Sequence, residues 1–359
     1  MRKTIITKLK TFIKRPKRLK FDEGLPTGID FEILNELCVQ HLAAPLQSAS
    51  YAHLSGWKDA GAFRLLLQTA KGRRWSVIYK NAVYNLEHIP ALVGLPNKPG
   101  PPEYLIYKNA RGPLAQYLPT IYMCQEVVPG KHYQYLLEDV GQAYQKVSGQ
   151  ENLLKAAKAL VAIHKAMADC LCDVDQAIFF RYNSDFSTQL QEYVVANLQR
   201  YANITTSNAA SEVLALWPHI SKRHRCHPAY SLQTVSLIHG DFNPANILVH
   251  QRRPDRIKLI DWEWAGFGMP HADMASLLKR APPEVEQQAL LLFSDQNRRL
   301  SPSQHKTLYE WCQLERGLID ASFMIAQGMM QSSAEKSSRF YRYTERSLER
   351  VLRAYNELV

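Results

Sequence analysis

One short segment constrains this chain more than any other feature. Residues 237–249 place His239, Asp241 and Asn246 in a polar loop between two apolar, strand-like stretches, and Asp261 ends the next such stretch. At these offsets one carboxylate can take the proton of a hydroxyl, while an amide oxygen and a second carboxylate hold a metal on phosphates. Hard oxygen ligands of this kind suit Mg²⁺. The spacing therefore predicts a site of phosphoryl transfer from magnesium-bound ATP.

Each of these residues taken alone has a structural interpretation. A polar turn between two strands uses Asp and Asn side chains to satisfy its own backbone, without any chemistry. Three such groups at these offsets, each at the end of a strand-like stretch, favour the catalytic interpretation.

The rest of the chain divides into a strand-rich part and a helix-rich part. Apolar runs bounded by turn residues predict strands over 63–68, 75–80, 121–128 and 132–138. A helix is predicted to begin at Pro101 or Pro102. Apolar residues at helical spacing predict further helices over 152–167, 186–204, 284–296, 304–330 and 335–358. This order predicts an α+β fold of two lobes with a cleft at their junction.

Two segments resemble the catalytic segments of the aminoglycoside phosphotransferase and choline kinase-like superfamily: His239–Asn246 (HGDFNPAN) and Ile260–Glu263 (IDWE). The resemblance implies a protein-kinase-like, two-lobed fold. Its strand-rich N-lobe would span residues 21–140 and its helix-rich C-lobe residues 141–359, after an extension over residues 1–20.

The same resemblance implies a role for each matching residue of the C-lobe. Asp241 would be the catalytic base, and Asn246 and Asp261 would be the ligands of Mg²⁺. His239 would be a structural histidine of the loop. Asp273, in a segment similar to the family's proline-to-Asp-Leu-Ala stretch, would brace the C-lobe.

In the N-lobe the resemblance implies the ATP-binding residues. Lys80 ends a strand that looks like the one carrying the phosphate-binding lysine, with Glu103 as its helical partner and Glu87 as the alternative. Residues 136–140 resemble the hinge, where Glu138 and Val140 would contact adenine. Gly56 and Gly61 are candidates for the phosphate-covering loop, although no full glycine-rich motif is present.

The phosphate acceptor is predicted only as a small molecule with a hydroxyl, such as an aminoglycoside, a choline- or thiamine-like amino alcohol, or a sugar. Trp311 and Glu315 lie four residues apart on one helix face, an arrangement that suits an organic cation. A core role for Trp311 is the favoured alternative. No dense acidic patch for a polycation is evident in the sequence.

Two other functions are compatible with the motifs. A nucleotide-binding pseudokinase that acts as a scaffold or regulator would explain the poor glycine-rich loop, but the polar residues of the catalytic loop are intact. A protein kinase is disfavoured, because no Ala-Pro-Glu activation segment follows Asp261.

The net charge of +11 is concentrated at one end of the chain. Residues 1–20 carry nine basic side chains and no acid, which leaves 35 basic against 33 acidic residues elsewhere. This distribution argues against a nucleic-acid partner, which usually meets a basic surface on the folded body. The few cysteines favour reduced thiols and a cytoplasmic protein.

Apolar residues of the basic segment follow helical spacing: Ile5, Ile6, Leu9, Phe12 and Ile13. The pattern predicts an amphipathic helix over residues 1–15 that binds an anionic membrane surface and makes the protein peripheral there. Docking of the same face on the body and a targeting segment are the alternatives.

Overall fold

The computed structural model describes residues 20–57, 60–83, 102–141, 143–171, 179–182, 184–225, 235–331 and 333–359. The chain forms two compact units, Met1–Asn81 and Ala82–Val359. The predicted lobe boundary at residue 140 stays a prediction, and the basic segment lies outside the described residues apart from Lys20. Among the described residues, no helix combines the length and apolarity that crossing a membrane requires.

The described part of the first unit is an antiparallel sheet beside one helix. Its elements are β1 (Asp22–Glu23), α1 (Phe31–Leu42), β2 (Leu46–Trp57), β3 (Ala60–Thr69) and β4 (Arg74–Val83). β2 pairs with β1 and β3, and β3 pairs with β4 through a turn in which Gly72 has φ +71°. Leu34, Leu65 and Val77 are fully buried between helix and strands. The predicted strands are confirmed, whereas α1 was not predicted.

From residue 102 onward, the described part of the second unit has two short helices and a β-hairpin. These elements are α2 (Pro102–Lys108), α3 (Gly112–Ala115), β5 (Ile121–Val128) and β6 (His132–Glu138). α2 packs on the hairpin through aromatic pairs, with ring centroids 4.9 Å apart for Tyr104 and Tyr133. The predicted start of α2 and both strands of the hairpin are confirmed.

The described residues of this unit form seven further helices: α4 (Gly149–Cys170), α5 (Ser184–Ile204), α6 (Asn208–Arg225), α7 (Pro270–Leu278), α8 (Pro283–Gln296), α9 (Pro302–Met329) and α10 (Ala334–Leu358). α5, α6, α9 and α10 share a core in which Leu198, Val213, Leu314 and Leu348 are fully buried. The predicted helices are confirmed within a few residues. α6 was not predicted, because it is polar overall and contains Pro218.

Two small sheets hold the segment that carries the motifs. One has the order β11 (Ile257–Leu259), β10 (Ile247–His250), β7 (Tyr144–Lys146), and the other β8 (Phe180–Arg181), β12 (Gly266–Gly268), β9 (Ser236–Ile238). Residues 239–246 connect β9 to β10, and residues 260–265 connect β11 to β12. His239 and Asp241 thus follow β9, Asn246 directly precedes β10, and Asp261 follows β11, so paired strands position each of them. The predicted α+β fold is confirmed.

Candidate active site

The connection from β9 to β10 turns at Gly240, where a side chain cannot be accommodated. Gly240 has φ +77°, and a Cβ there would lie 1.9 Å from the carbonyl oxygen of Trp264. That oxygen is held in place by the hydroxyl of Tyr182, which donates to it at 2.5 Å. The sequence therefore requires glycine directly before Asp241.

The carboxylate of Asp241 is fixed by the amides of its own loop. Its Oδ2 accepts from Nδ2 of Asn243 at 2.8 Å and from Nδ2 of Asn246 at 2.9 Å. Nδ2 of Asn246 also donates to the backbone oxygen of Asp241 at 3.0 Å. The side chain of Asp241 remains 22% exposed, so a reactant can reach a carboxylate that is held in one orientation.

Asp261 follows the residue that pairs with Asn246. The amide of Ile260 donates to the backbone oxygen of Asn246 at 3.1 Å, continuing the pairing of β10 with β11. Asp261 itself has φ +67°, a conformation that costs a non-glycine residue about 1–2 kcal/mol and is frequent at functional sites. The pairing brings the two predicted metal-binding positions, Asn246 and Asp261, to neighbouring places.

The donor atoms at these positions fit Mg²⁺. Nδ2 of Asn246 is directed at Asp241, so the amide oxygen of Asn246 is the atom of that side chain suited to a metal. The carboxylate of Asp261 is the other hard oxygen ligand predicted here. Within the described ranges, no three His, Cys, Asp or Glu side chains gather as a ready-made metal cage. Mg²⁺ does not need one, since it keeps several waters and takes phosphate oxygens.

Asp273, at the start of α7, holds the loop from beneath. Its Oδ2 accepts from the amide of His239 at 2.8 Å, and its Oδ1 accepts from the amide of Gly240 at 2.9 Å. His164 of α4 lies with Nε2 2.9 Å from Oδ2 of the same carboxylate. Asp273 is fully buried, so one carboxylate satisfies two loop amides and ties them to two helices.

His239 is fully buried within the loop. Burial lowers its pKa, against the opposing pull of nearby aspartates, so the ring is neutral. Its Nε2 lies 3.1 Å from the carbonyl oxygen of Ile260 and donates to it, while Nδ1 accepts from the amide of Asp241 at 3.3 Å. The ring also packs on Trp262, with centroids 4.3 Å apart.

Glu103 lies buried in α2 and contacts the segment that carries Asp261. Its Oε1 accepts from the backbone amide of Trp262 at 3.4 Å, and only 3% of the residue is exposed. Lys80 lies on β4 of the first unit, in register with Ala62. The pairing of Lys80 with Glu103 stays a prediction, and Glu87 lies outside the described residues.

The predicted hinge follows β6. The carboxylate of Glu138 accepts from the amide and the hydroxyl of Thr120 at 3.0 and 2.9 Å. The carbonyl oxygen of Val140 accepts from the amides of Ala143 and Tyr144 at 3.1 and 3.0 Å. The side chain of Glu138 thus fixes the end of the hairpin. The backbone of Glu138, rather than its side chain, is therefore the part suited to contact a nucleobase.

Arg316 contacts the site although the motifs did not reveal it. From α9 its Nη2 donates to Oδ1 of Asp241 at 2.8 Å and its Nη1 to the carbonyl oxygen of Gly240 at 2.7 Å. The local signal was the spacing of Arg316 and Asp320, four residues apart on a long helix, where Nε lies 3.4 Å from Asp320 Oδ1. Trp311 on the same helix is only 2% exposed, so it is part of the core and offers no face to an organic cation.

Comparison with known proteins agrees with this geometry. The sequence profile of APH, described as "Phosphotransferase enzyme family", matches residues 106–302, more than half of the chain. Among curated proteins, acyl-CoA dehydrogenase family member 10 of Mus musculus is 27% identical over 121 residues. That match covers 32% of this chain and 10% of the mouse protein, so the chain spans only a small part of that relative.

Solved structures resemble nearly the whole chain. A spectinomycin phosphotransferase, determined with ADP and spectinomycin, has a TM-score of 0.55 at 15% identity and covers 91% of this chain and 99% of its own. A choline kinase from Streptococcus pneumoniae has a TM-score of 0.53 at 14% identity, covering 89% and 98%. A microcompartment-associated aminopropanol kinase has a TM-score of 0.51 at 15% identity, covering 91% and 98%. At these identities the likeness establishes the fold.

Proposed function

The chain belongs to the APH phosphotransferase enzyme family, and on that premise we propose that it transfers the γ-phosphoryl group of ATP to a hydroxyl of a small molecule, with Mg²⁺ as the metal. The observation that carries the proposal is the carboxylate of Asp241. It is oriented by two side-chain amides, remains open to a reactant, and lies beside Asn246, whose backbone pairs with that of the residue before Asp261.

In this proposal Asp241 is the base. Its carboxylate orients the acceptor hydroxyl and takes its proton as the new O–P bond forms, which makes the oxygen a better nucleophile. Each carboxylate oxygen has two acceptor sites, so the bonds from Asn243 and Asn246 to Oδ2 leave capacity for the hydroxyl. The loop thereby positions the base before the acceptor arrives, and positioning contributes much of the rate in phosphoryl transfer.

The remaining predicted residues bind the nucleotide and the metal. Magnesium-bound ATP supplies the phosphoryl group and the positive charge that offsets the charge on the phosphates. The amide oxygen of Asn246 and the carboxylate of Asp261 would hold the metal, and Lys80 would contact the phosphates with Glu103 as its partner. Since the carbonyl of Val140 already accepts two amides of its own turn, its N–H is the better donor to adenine, and the backbone of Glu138 supplies the acceptor.

The acceptor is the least specified part of the proposal. The related solved structures include kinases of spectinomycin, choline and aminopropanol. Trp311 is buried, so it offers no aromatic face to a cationic acceptor. The proposal therefore specifies the acceptor only as a small molecule with a hydroxyl.

A substrate screen tests the function. ATP consumption is measured with aminoglycosides, choline, thiamine, amino sugars, sugars and nucleosides, with GTP tested in parallel. The expected result is acceptor-dependent ATP consumption and a phosphorylated product. Stabilisation by Mg-ATP in thermal melts, with neither transfer nor hydrolysis across the screen, would favour the nucleotide-binding pseudokinase instead.

Asp241→Asn tests the proposed base. The variant keeps an acceptor oxygen but cannot take a proton, so kcat is expected to fall by about 10²–10⁴-fold, with a similar KM for ATP. Asp255→Asn is the matched control, because Asp255 is exposed in the connection between β10 and β11 of the same unit. Full turnover by Asp241→Asn would contradict the assignment, provided that both variants melt near the wild type.

A further inference from the structure

The two oxygens of the Asp241 carboxylate have partners of different origin. Oδ2 is held by amides of its own loop, whereas Oδ1 accepts from Nη2 of Arg316, 75 residues later in the chain. Nη1 of the same guanidinium donates to the carbonyl oxygen of Gly240. One planar group therefore bridges the backbone of residue 240 and the side chain of residue 241.

We propose that Arg316 is a positioning residue for the base, an inference that rests on the proposed function of Asp241. The two donors of a guanidinium have a fixed separation and a common plane. When one is bound to the Gly240 carbonyl and the other to Oδ1, they fix the rotation of the Asp241 side chain relative to its own backbone. A lysine ammonium, which acts as a point charge, cannot impose that relation on both acceptors.

The far edge of the guanidinium lies in an ion pair rather than in a hydrogen bond. Asp320, one turn further along α9, lies with Oδ1 3.4 Å from Nε of Arg316. Its other oxygen, Oδ2, lies 3.6 Å from Nζ of Lys279 and 3.8 Å from Nη1 of Arg350. Arg350 is anchored in turn by donation to the carbonyl of Ala275 on α7. Contacts with three helices thus fix the position from which Arg316 reaches Asp241.

The charge states agree with this arrangement. Burial lowers the pKa of Arg316, but the carboxylates of Asp320 and Asp241 outweigh that effect and the net pKa is raised. Burial raises the pKa of Asp320, and the neighbouring cations, Arg316 first, reverse that effect and lower it. Both groups are therefore charged at neutral pH.

Stability alone gives a weak reason for such a pair. Removing two charges from water costs about as much as their attraction returns, so a buried ion pair adds little net stability. Arg316 and Asp241 have side chains only 17% and 22% exposed. An ion pair that costs desolvation and adds little net stability is explained if it orients the carboxylate of Asp241.

The test compares Arg316→Gln and Arg316→Lys with Lys306→Met, a control on the same helix whose ion pair with Glu357 lies at the surface. With the acceptor found by the screen, Arg316→Gln is expected to lower kcat by about 10–100-fold, as misplacement of a reacting group does, while KM for ATP changes less than about threefold. Arg316→Lys should recover part of the loss, and Lys306→Met should match the wild type.

The decisive measurement repeats Arg316→Gln in the Asp241→Asn background. A residue that acts through the base has nothing left to position there, so the residual rate should fall by less than about threefold. Equal losses in both backgrounds would overturn the inference and leave Arg316 a structural residue. If the wild type is active and the losses in the two backgrounds are equal, only this inference is contradicted. If the wild type is inactive, the proposed function is contradicted as well.

Asp320→Asn serves if Arg316→Gln does not fold. It weakens the support of the guanidinium without touching Asp241, and a smaller fall in kcat with an unchanged KM for ATP is expected. Unchanged kcat in a folded Asp320→Asn variant would count against the proposed support.

Discussion

Two residues near the site adopt a backbone conformation that ordinary side chains avoid. Gly240 and Asp261 have φ of +77° and +67°. At Gly240 glycine is required, since the carbonyl of Trp264 occupies the space of a Cβ. At Asp261 the surrounding contacts impose the conformation on the residue proposed to hold the metal, and the cost is offset by the rest of the fold.

Comparing Gly240→Ala with Gly130→Ala separates the cost of the left-handed conformation from the cost of the contact with the Trp264 carbonyl. Gly130, in the β5–β6 turn, has φ +69° but nothing within 4 Å of a Cβ. Gly130→Ala should lower the free energy of unfolding by about 1–2 kcal/mol, the cost of the left-handed conformation. Gly240→Ala should lose more and also reduce phosphoryl transfer, because the Trp264 carbonyl must move. Urea denaturation measures the loss of stability in both variants. Equal losses of stability would show that the contact with Trp264 is unimportant.

Spacing along the chain was sufficient for the residues of the loop and insufficient for Arg316. Asp241, Asn246 and Asp261 lie on or beside paired strands, so their order in the sequence largely determines their proximity. Arg316 meets Asp241 through the packing of α9. Its sequence neighbourhood looks like an ordinary helix face, and only the tertiary fold distinguishes it.

At the scale of elements, apolar periodicity predicted most of the long helices but not which polar groups they bury. The hydroxyl of Tyr309 on α9 donates to Glu286 of α8 at 2.7 Å, and Arg353 of α10 lies 3.3 Å from the same oxygen. Glu310, next to Tyr309, is only 7% exposed. A periodic pattern marks such positions as polar and therefore exposed, so these contacts between helices could not be predicted from it.

Glu310 makes the packing of these helices sensitive to pH. Burial, reinforced by the charge of Glu286, raises its pKa from 4.5 to about 7, against the opposing effects of Arg353 and Lys306. Between these values the folded chain keeps a proton that the unfolded chain has lost. The contribution of Glu310 to stability therefore falls as the pH rises from 4.5 to about 7, and the loss is complete above that.

Glu310→Gln is expected to remove this dependence. Its gain in free energy of unfolding over the wild type should increase between pH 4.5 and 7 and then level off, as urea denaturation across that range can measure. Glu349→Gln, at an exposed position of α10, is the control. A wild type and a Glu310→Gln variant with parallel pH profiles would contradict the prediction.

At the scale of the whole molecule, charge is distributed very unevenly. Nine basic side chains lie in residues 1–20, while the other 339 residues carry a net charge of only +2. The basic segment lies almost wholly outside the described residues, so its helix and its partner stay predictions. The long-range attraction of this protein for an anionic surface would arise almost entirely from that segment.

Removing residues 1–20 should abolish binding to anionic vesicles. Each basic residue near such a surface contributes about 1 kcal/mol, and salt weakens the attraction because screening acts within about 8 Å at physiological ionic strength. Co-sedimentation of full-length and truncated protein with vesicles rich in anionic lipid measures this. Equal, negligible sedimentation of both would reject the membrane surface, and a lower melting temperature after truncation would indicate docking on the body instead.

The binding of two loop amides by Asp273 slows the exchange of their backbone protons with solvent, which is unusual in an irregular loop. Backbone protons of a connecting loop normally exchange with solvent deuterium quickly, because local fluctuations expose them. Those of His239 and Gly240 end on a carboxylate that is itself fully buried at the start of α7. Deuterium reaches these two amides only when α7 detaches from the loop. Their exchange therefore reports the opening of α7, and the loop stays folded for as long as the core beneath it.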